Sequence, residues 1–183
     1  MTDPLTETEI ASTTVFHGHL LHVKRDQVLL PNGAEAGREY IVHPGAVLVV
    51  PVLDDGRLIF ERQYRYPLRR AFLELPAGKI DSDEDPLTTG KRELLEETGY
   101  SALNWHYLTT LHPCIGYSNE RILIYLATGL QEGQHNRDHD EMLEVLSLSL
   151  QEALLKMRQG EITDGKTMVA LFWAEKFLAG DWR

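Results

Sequence analysis

The chain has a single cysteine, Cys114, which excludes an intramolecular disulfide and any cysteine-rich zinc or iron–sulfur site. It also lacks a long apolar run. The longest, residues 46–53, contains a proline and falls far short of the ~20 residues that span a bilayer, so no membrane partner is expected. Basic residues are scarce: 18 Lys and Arg face 28 Asp and Glu, for a net charge of −10. That balance argues against nucleic acid as a partner, because nonspecific binding needs clustered cations. The opening Met1-Thr2-Asp3-Pro4-Leu5-Thr6-Glu7 is polar and acidic, unlike the basic-then-apolar start of a signal peptide. A reducing compartment is therefore expected, with the cytoplasm as the default. Internal repeats and low-complexity linkers are absent too. What is present, 183 residues of which 43% are hydrophobic, suits one domain, or a domain with a small appendage, built on a real core.

The charge is unevenly spread. Residues 74–100 hold eight acids against three bases, and residues 132–144 hold five acids against Arg137. Residues 57–70 hold five arginines and one acid, Glu61. Dense carboxylates near dense guanidiniums can hold divalent cations beside a polyanionic substrate. The same pattern also fits an ordinary solvated charged surface.

Along the chain, strands are expected at residues 13–23, 26–30, 38–43, 46–53, 57–65, 71–75, 105–111, 121–127 and 143–148. Pro31-Asn32-Gly33 reads as a turn, and Asp54-Asp55-Gly56 as a hairpin turn into residues 57–65. A helix is expected over residues 86–98, with Asp85 as N-cap, Pro86 at the first position and Gly99 as the stop. Ser149-Leu150-Gln151-Glu152 is a capping box opening a second helix, and Asp164 caps a last one running to about residue 178. Many strands, a helix, more strands and two helices read as α+β with a mixed sheet. Residues 1–43 form a candidate small β subdomain, and residues 44–183 the main domain.

Within the first helix, Glu93 and Glu97 are i,i+4 and Glu96 lies three after Glu93, which groups three carboxylates on one side. Oxygens from successive turns suit hard cations such as Mg²⁺ or Mn²⁺. A bare R-E-x-x-E-E also occurs on exposed acidic helices. Here it stands in a larger frame: Gly78, five residues, Glu84, seven residues, then Arg92-Glu93-Leu94-Leu95-Glu96-Glu97-Thr98-Gly99-Tyr100. This resembles the Nudix box of the Nudix hydrolases, with every defined position filled. Further segments resemble the ADP-ribose and nucleoside diphosphate sugar pyrophosphatase branch. They are Gln63-Tyr64-Arg65, Leu73-Glu74-Leu75-Pro76-Ala77-Gly78-Lys79-Ile80-Asp81, Pro113-Cys114-Ile115-Gly116-Tyr117-Ser118-Asn119-Glu120 and Gly160-Glu161-Ile162-Thr163-Asp164-Gly165-Lys166-Thr167.

The resemblance implies an α/β/α sandwich and a Mg²⁺-dependent hydrolase, with Mn²⁺ as a substitute, that splits ADP-ribose or another NDP-sugar into a nucleoside monophosphate and a sugar phosphate. GDP-mannose, a dinucleoside polyphosphate, or a non-catalytic nucleotide-sugar sensor are the alternatives. By resemblance the metal ligands are Glu93, Glu97 and the Ala77 carbonyl, supported by Glu96, with Arg92 orienting the glutamates. Glu141 matches the general base, with His139 or Asp140 as replacements should Glu141 instead bind metal. Arg65 and Glu74 fall on the substrate side, as do Ser118 and Glu120 in a sugar-side loop. Arg38 and Glu39 match a segment that holds nucleotide across the interface of a homodimer with an exchanged N-terminal sheet. His17, His19 and His22 lack an acid or Cys to complete a zinc site. Cys114 lacks an activating neighbour, and Phe172 and Trp173 suit packing.

Overall fold

The structure, a computed structural model, describes residues 3–133 and 142–182. The chain folds as two compact units, Met1–Pro44 with Cys114–Arg121, and Gly45–Pro113 with Ile122–Arg183.

The first unit is a three-stranded antiparallel sheet in chain order: β1 (Thr8–His17), β2 (His22–Leu29) and β3 (Glu35–Val42). β1 begins earlier than residue 13 and stops at His17, where Gly18 N–H donates to the Leu21 carbonyl at 2.8 Å and turns the chain. All ten β1 residues are exposed, so the inside–outside alternation that marks a strand in sequence is missing from it. The expected turn at Pro31-Asn32-Gly33 forms, with Gly33 at φ 84°. Cys114–Arg121 lies along β3, where Ile41 N–H donates to the Tyr117 carbonyl at 2.9 Å.

The second unit holds two further sheets. β4 (Ala46–Pro51) pairs in parallel with β9 (Ile122–Glu132), between β7 (Ala77–Lys79) and β8 (Tyr100–Leu111). A second, antiparallel sheet runs β10 (Leu143–Leu148), β5 (Leu58–Arg65), β6 (Arg70–Glu74). The turn at residues 54–56 forms, with Leu53 N–H donating to the Arg57 carbonyl at 2.8 Å. After the single bridge Val52–Leu58, however, β4 and β5 part into different sheets. Turn residues fix where the chain reverses, and packing decides whether the ladder continues.

All of β4 is buried because both its faces are covered, which accounts for its unbroken apolar sequence. Leu48 and Val50 join Leu58, Phe60, Ile124, Leu126 and residues of α2 (Leu150–Arg158) and α3 (Gly165–Leu178) in one core. Val47 and Val49 pack on the opposite side with Ile80 and Leu94, the latter just past α1 (Pro86–Glu93). Helix, mixed sheet, second sheet and helices make the α+β sandwich expected from the sequence. The caps hold as well. Asp85 accepts from the N–H groups of Leu87 and Thr88, Ser149 and Glu152 form a reciprocal capping box, and Asp164 accepts from Thr167 N–H. The helix expected over residues 86–98 is α-helical only to Glu93. Leu94–Thr98 is a π-helical turn closed by Gly99 in the left-handed region at φ 79°. Among the described residues, no helix is long and apolar enough to cross a membrane.

Candidate active site

The three glutamates of the helix and its π turn differ in setting. Glu97 is turned inward and nearly buried, and its Oε2 accepts from Ala77 N–H at 3.0 Å. Glu93 lies against the same loop: a Cβ placed on Gly78 would fall 1.8 Å from its carboxylate. The glycine at that box position is thus the space the Glu93 carboxylate fills. Glu96 is more exposed and ion-paired with Arg92 at 3.0 Å.

Arg92 is the hub of the helix surface. Its guanidinium donates to Glu84 at 3.0 and 3.2 Å, to Glu93 at 2.8 Å, to Glu96 at 3.0 Å and to the Lys79 carbonyl at 3.3 Å. Glu84 is held below the ordinary carboxylate range, first by Arg92 and then by the Thr89 hydroxyl. Arg92 thus joins Glu84 to Glu93 and Glu96 in one network.

A second cluster sits on β5 and β6. Arg65 forks onto Glu74 with two bonds of 2.8 Å, and Lys166 also donates to Glu74. Burial alone would raise the Glu74 carboxyl; Arg65 and Lys166 outweigh it and hold the group below its usual range. A cavity of about 250 Å³ is lined by Arg65, Glu74, Asp164 and Lys166, so two of the expected substrate-side residues meet in one place. Lys166, one of the residues that carried the resemblance, had no role assigned from sequence. Glu61, directly across the ladder from Glu74, was likewise missed. Its one signal in the sequence is that it is the lone acid among five arginines. It is wholly buried, and burial, reinforced by Glu74, pushes its carboxyl up to about 7 against the pull of Arg65 and Lys166.

Arg38, Glu39 and Ser118 come together in the first unit, around a cavity of about 380 Å³ that Tyr40 and Tyr117 also line. Arg38 is ion-paired with Glu7 and Glu39 with Arg25 at 2.8 Å. Glu120 lies nearby, its N–H donating to Ser118 Oγ at 3.1 Å and its carboxylate 3.8 Å from His43 Nε2. Glu141, His139 and Asp140, the residues considered for general base, lie outside the described residues.

The box fits a hard divalent cation by its donor set. Glu93, Glu96, Glu97 and the Ala77 carbonyl offer oxygen alone, and the two inward carboxylates converge on the Ala77–Gly78 backbone. Among the described residues, no three His, Cys, Asp or Glu side chains already stand grouped as a ligand set, and Arg92 bridges Glu93 and Glu96 instead.

Comparison with known proteins agrees with this geometry. The model of the NUDIX domain matches residues 42–170. An ADP-ribose pyrophosphatase of Bacillus subtilis (strain 168) is 38% identical over 169 residues, covering 91% of each chain. A methanol dehydrogenase activator of Bacillus methanolicus is 37% identical over 167 residues, 90% of each. Among solved structures, that of an ADP compounds hydrolase superposes with a TM-score of 0.87 over 98% of both chains, at 25% identity. A box helix whose glutamates fold back on the loop at Ala77 and Gly78, within a domain matched over this length, places the chain in the Nudix domain family.

Proposed function

We propose that the chain is a divalent-cation-dependent hydrolase of the pyrophosphate bond of ADP-ribose or related nucleoside diphosphate sugars, yielding a nucleoside monophosphate and a sugar phosphate. The observation that carries this reading is the return of Glu93 and Glu97 onto the Ala77–Gly78 loop, in a chain resembling an ADP-ribose pyrophosphatase over nearly its whole length. Glu93, Glu97 and the Ala77 carbonyl would hold the cation, Mg²⁺ with Mn²⁺ as a substitute. When bound, the cation supplies charge neutralisation for the phosphoanhydride and lowers the pKa of an attacking water.

The chain's own residues provide the rest. Arg92, fixed by Glu84, keeps Glu93 and Glu96 in place through the charge changes of turnover. Arg65 and Lys166 present cations toward a cavity whose floor is the ionised Glu74, which keeps both extended and ordered before an anionic substrate arrives. Arg38, Glu39, Ser118 and Glu120 are assigned to substrate recognition on the family pattern. A homodimer joined through the first unit is part of this reading, supported by the full exposure of β1.

The test is a substrate panel of ADP-ribose, ADP-glucose, GDP-mannose, UDP-glucose and diadenosine polyphosphates, assayed with and without Mg²⁺ or Mn²⁺. Cation-dependent release of phosphatase-sensitive monophosphate, fastest from ADP-ribose, is expected. Glu93→Gln and Glu97→Gln should each lose cation activation. Turnover of none of the NDP-sugars, or wild-type activity in either variant, overturns the reading.

A further inference from the structure

Glu61 is not explained by packing. It follows three buried apolar residues, Leu58, Ile59 and Phe60, on the central strand of its sheet, and a methionine or leucine would fill the same space without the desolvation penalty of a carboxylate. Among the described residues no donor reaches either of its oxygens. The nearest cations are already committed: the Arg65 fork and the Lys166 ammonium both bind Glu74, the cross-strand neighbour. What stands beside Glu61 instead is another acid, Glu97 of the box, close enough to act on its carboxyl. Two carboxyl groups facing one another in the interior need a proton or a cation between them, and a cation is what the box is built to hold.

We propose that Glu61 belongs to the divalent-cation site, giving a carboxylate oxygen to a cation that Glu97 also holds. The assignment rests on the cation-dependent reading above and adds to the helix glutamates a ligand from the sheet. Glu97 can then serve two partners, Ala77 N–H through one oxygen and the shared cation through its carboxylate. The site is thereby tied to β5, the strand whose last residue is Arg65, so cation and substrate-side arginine sit on one rigid element.

The experiment measures Mn²⁺ binding to the full chain, by the paramagnetic resonance signal of free Mn²⁺ and by the Mn²⁺-induced rise in Tm, without substrate. Wild type is compared with Glu61→Gln, Glu61→Met and Glu97→Gln. Glu61→Gln should weaken Mn²⁺ binding by about tenfold or more and shrink the Tm rise. Glu61→Met should melt at or above wild type without metal, because it removes a buried carboxylate, yet lose the same Mn²⁺ response. Should Glu61→Gln fail to fold, Glu61→Met decides. Wild-type Mn²⁺ affinity in the Glu61 variants, with affinity lost in Glu97→Gln, overturns the Glu61 assignment and leaves the cation reading standing. Wild-type affinity in Glu97→Gln removes the cation reading itself.

Discussion

At Gly78 the absence of a side chain is a spatial requirement of the site. Its backbone φ lies outside the left-handed region, so alanine is sterically acceptable to the main chain there. The obstacle is the Glu93 carboxylate, whose carbon and nearer oxygen would each lie 1.8 Å from the added Cβ. A carboxylate at the end of a flexible side chain can swing away, so Gly78→Ala should fold with stability within about 1 kcal/mol of wild type. It should nevertheless displace Glu93, and a shift of about 1 Å in a positioned group lowers turnover by about 10²-fold. Thermal melting and steady-state kinetics with saturating cation separate the two effects. Wild-type kcat in this variant would mean that the Glu93 position does not matter for the reaction. Glu84 and Arg92 show the complementary case, in which the sequence frame is a network: two spaced positions are joined by a two-bond fork that anchors the guanidinium contacting Glu93 and Glu96.

At the scale of elements, the box helix must lie close to β4 for Glu97 to reach Ala77, and Gly90 permits that approach. A Cβ on Gly90 would stand 3.1 Å from Val47 Cγ1, with Trp105 and Val49 next nearest. Gly90→Val therefore overfills this contact and should destabilise the fold by about 1–3 kcal/mol. A denaturation midpoint lowered at constant m-value is the expected signature, and an unchanged midpoint would show the helix free to move off the sheet. These two glycines differ in how legible they are. Gly78 belongs to a spaced pattern and is found from sequence, whereas Gly90 acts through Val47, 43 positions away, and no local signal marks it. The same distinction runs through the fold. Caps at Asp85, Ser149 and Asp164 are read correctly because the chemistry is local. The π turn at Leu94–Thr98, the parallel pairing of β4 with β9 and the burial of Glu61 depend on partners remote in sequence, and the exposed β1 carries no buried face to betray its period.

At the scale of the whole molecule, β1 poses a question that one copy of the chain does not answer. It is an edge strand of ten residues, all exposed, in the first unit, and Ile10, Val15 and Phe16 each show 43–54% of their surface. Long apolar edges are aggregation sites unless something covers them. A second copy is the occupant that the proposed homodimer supplies. Two chains of net charge −10 repel one another, so ion pairing is a poor candidate for what joins them. An apolar seam makes a distinctive prediction: screening weakens the repulsion and leaves the hydrophobic term intact, so the dimer should persist or tighten between about 0.05 and about 0.5 M salt. Sedimentation equilibrium at micromolar concentration should then give twice the 20.8 kDa chain mass at both ends of that range. Ile10→Lys, which puts a cation into the exposed strand without touching the box, should shift the mass toward the single chain. A wild-type monomer at every concentration would remove the dimer, and a dimer that salt dissolves would assign its seam to charge rather than to β1.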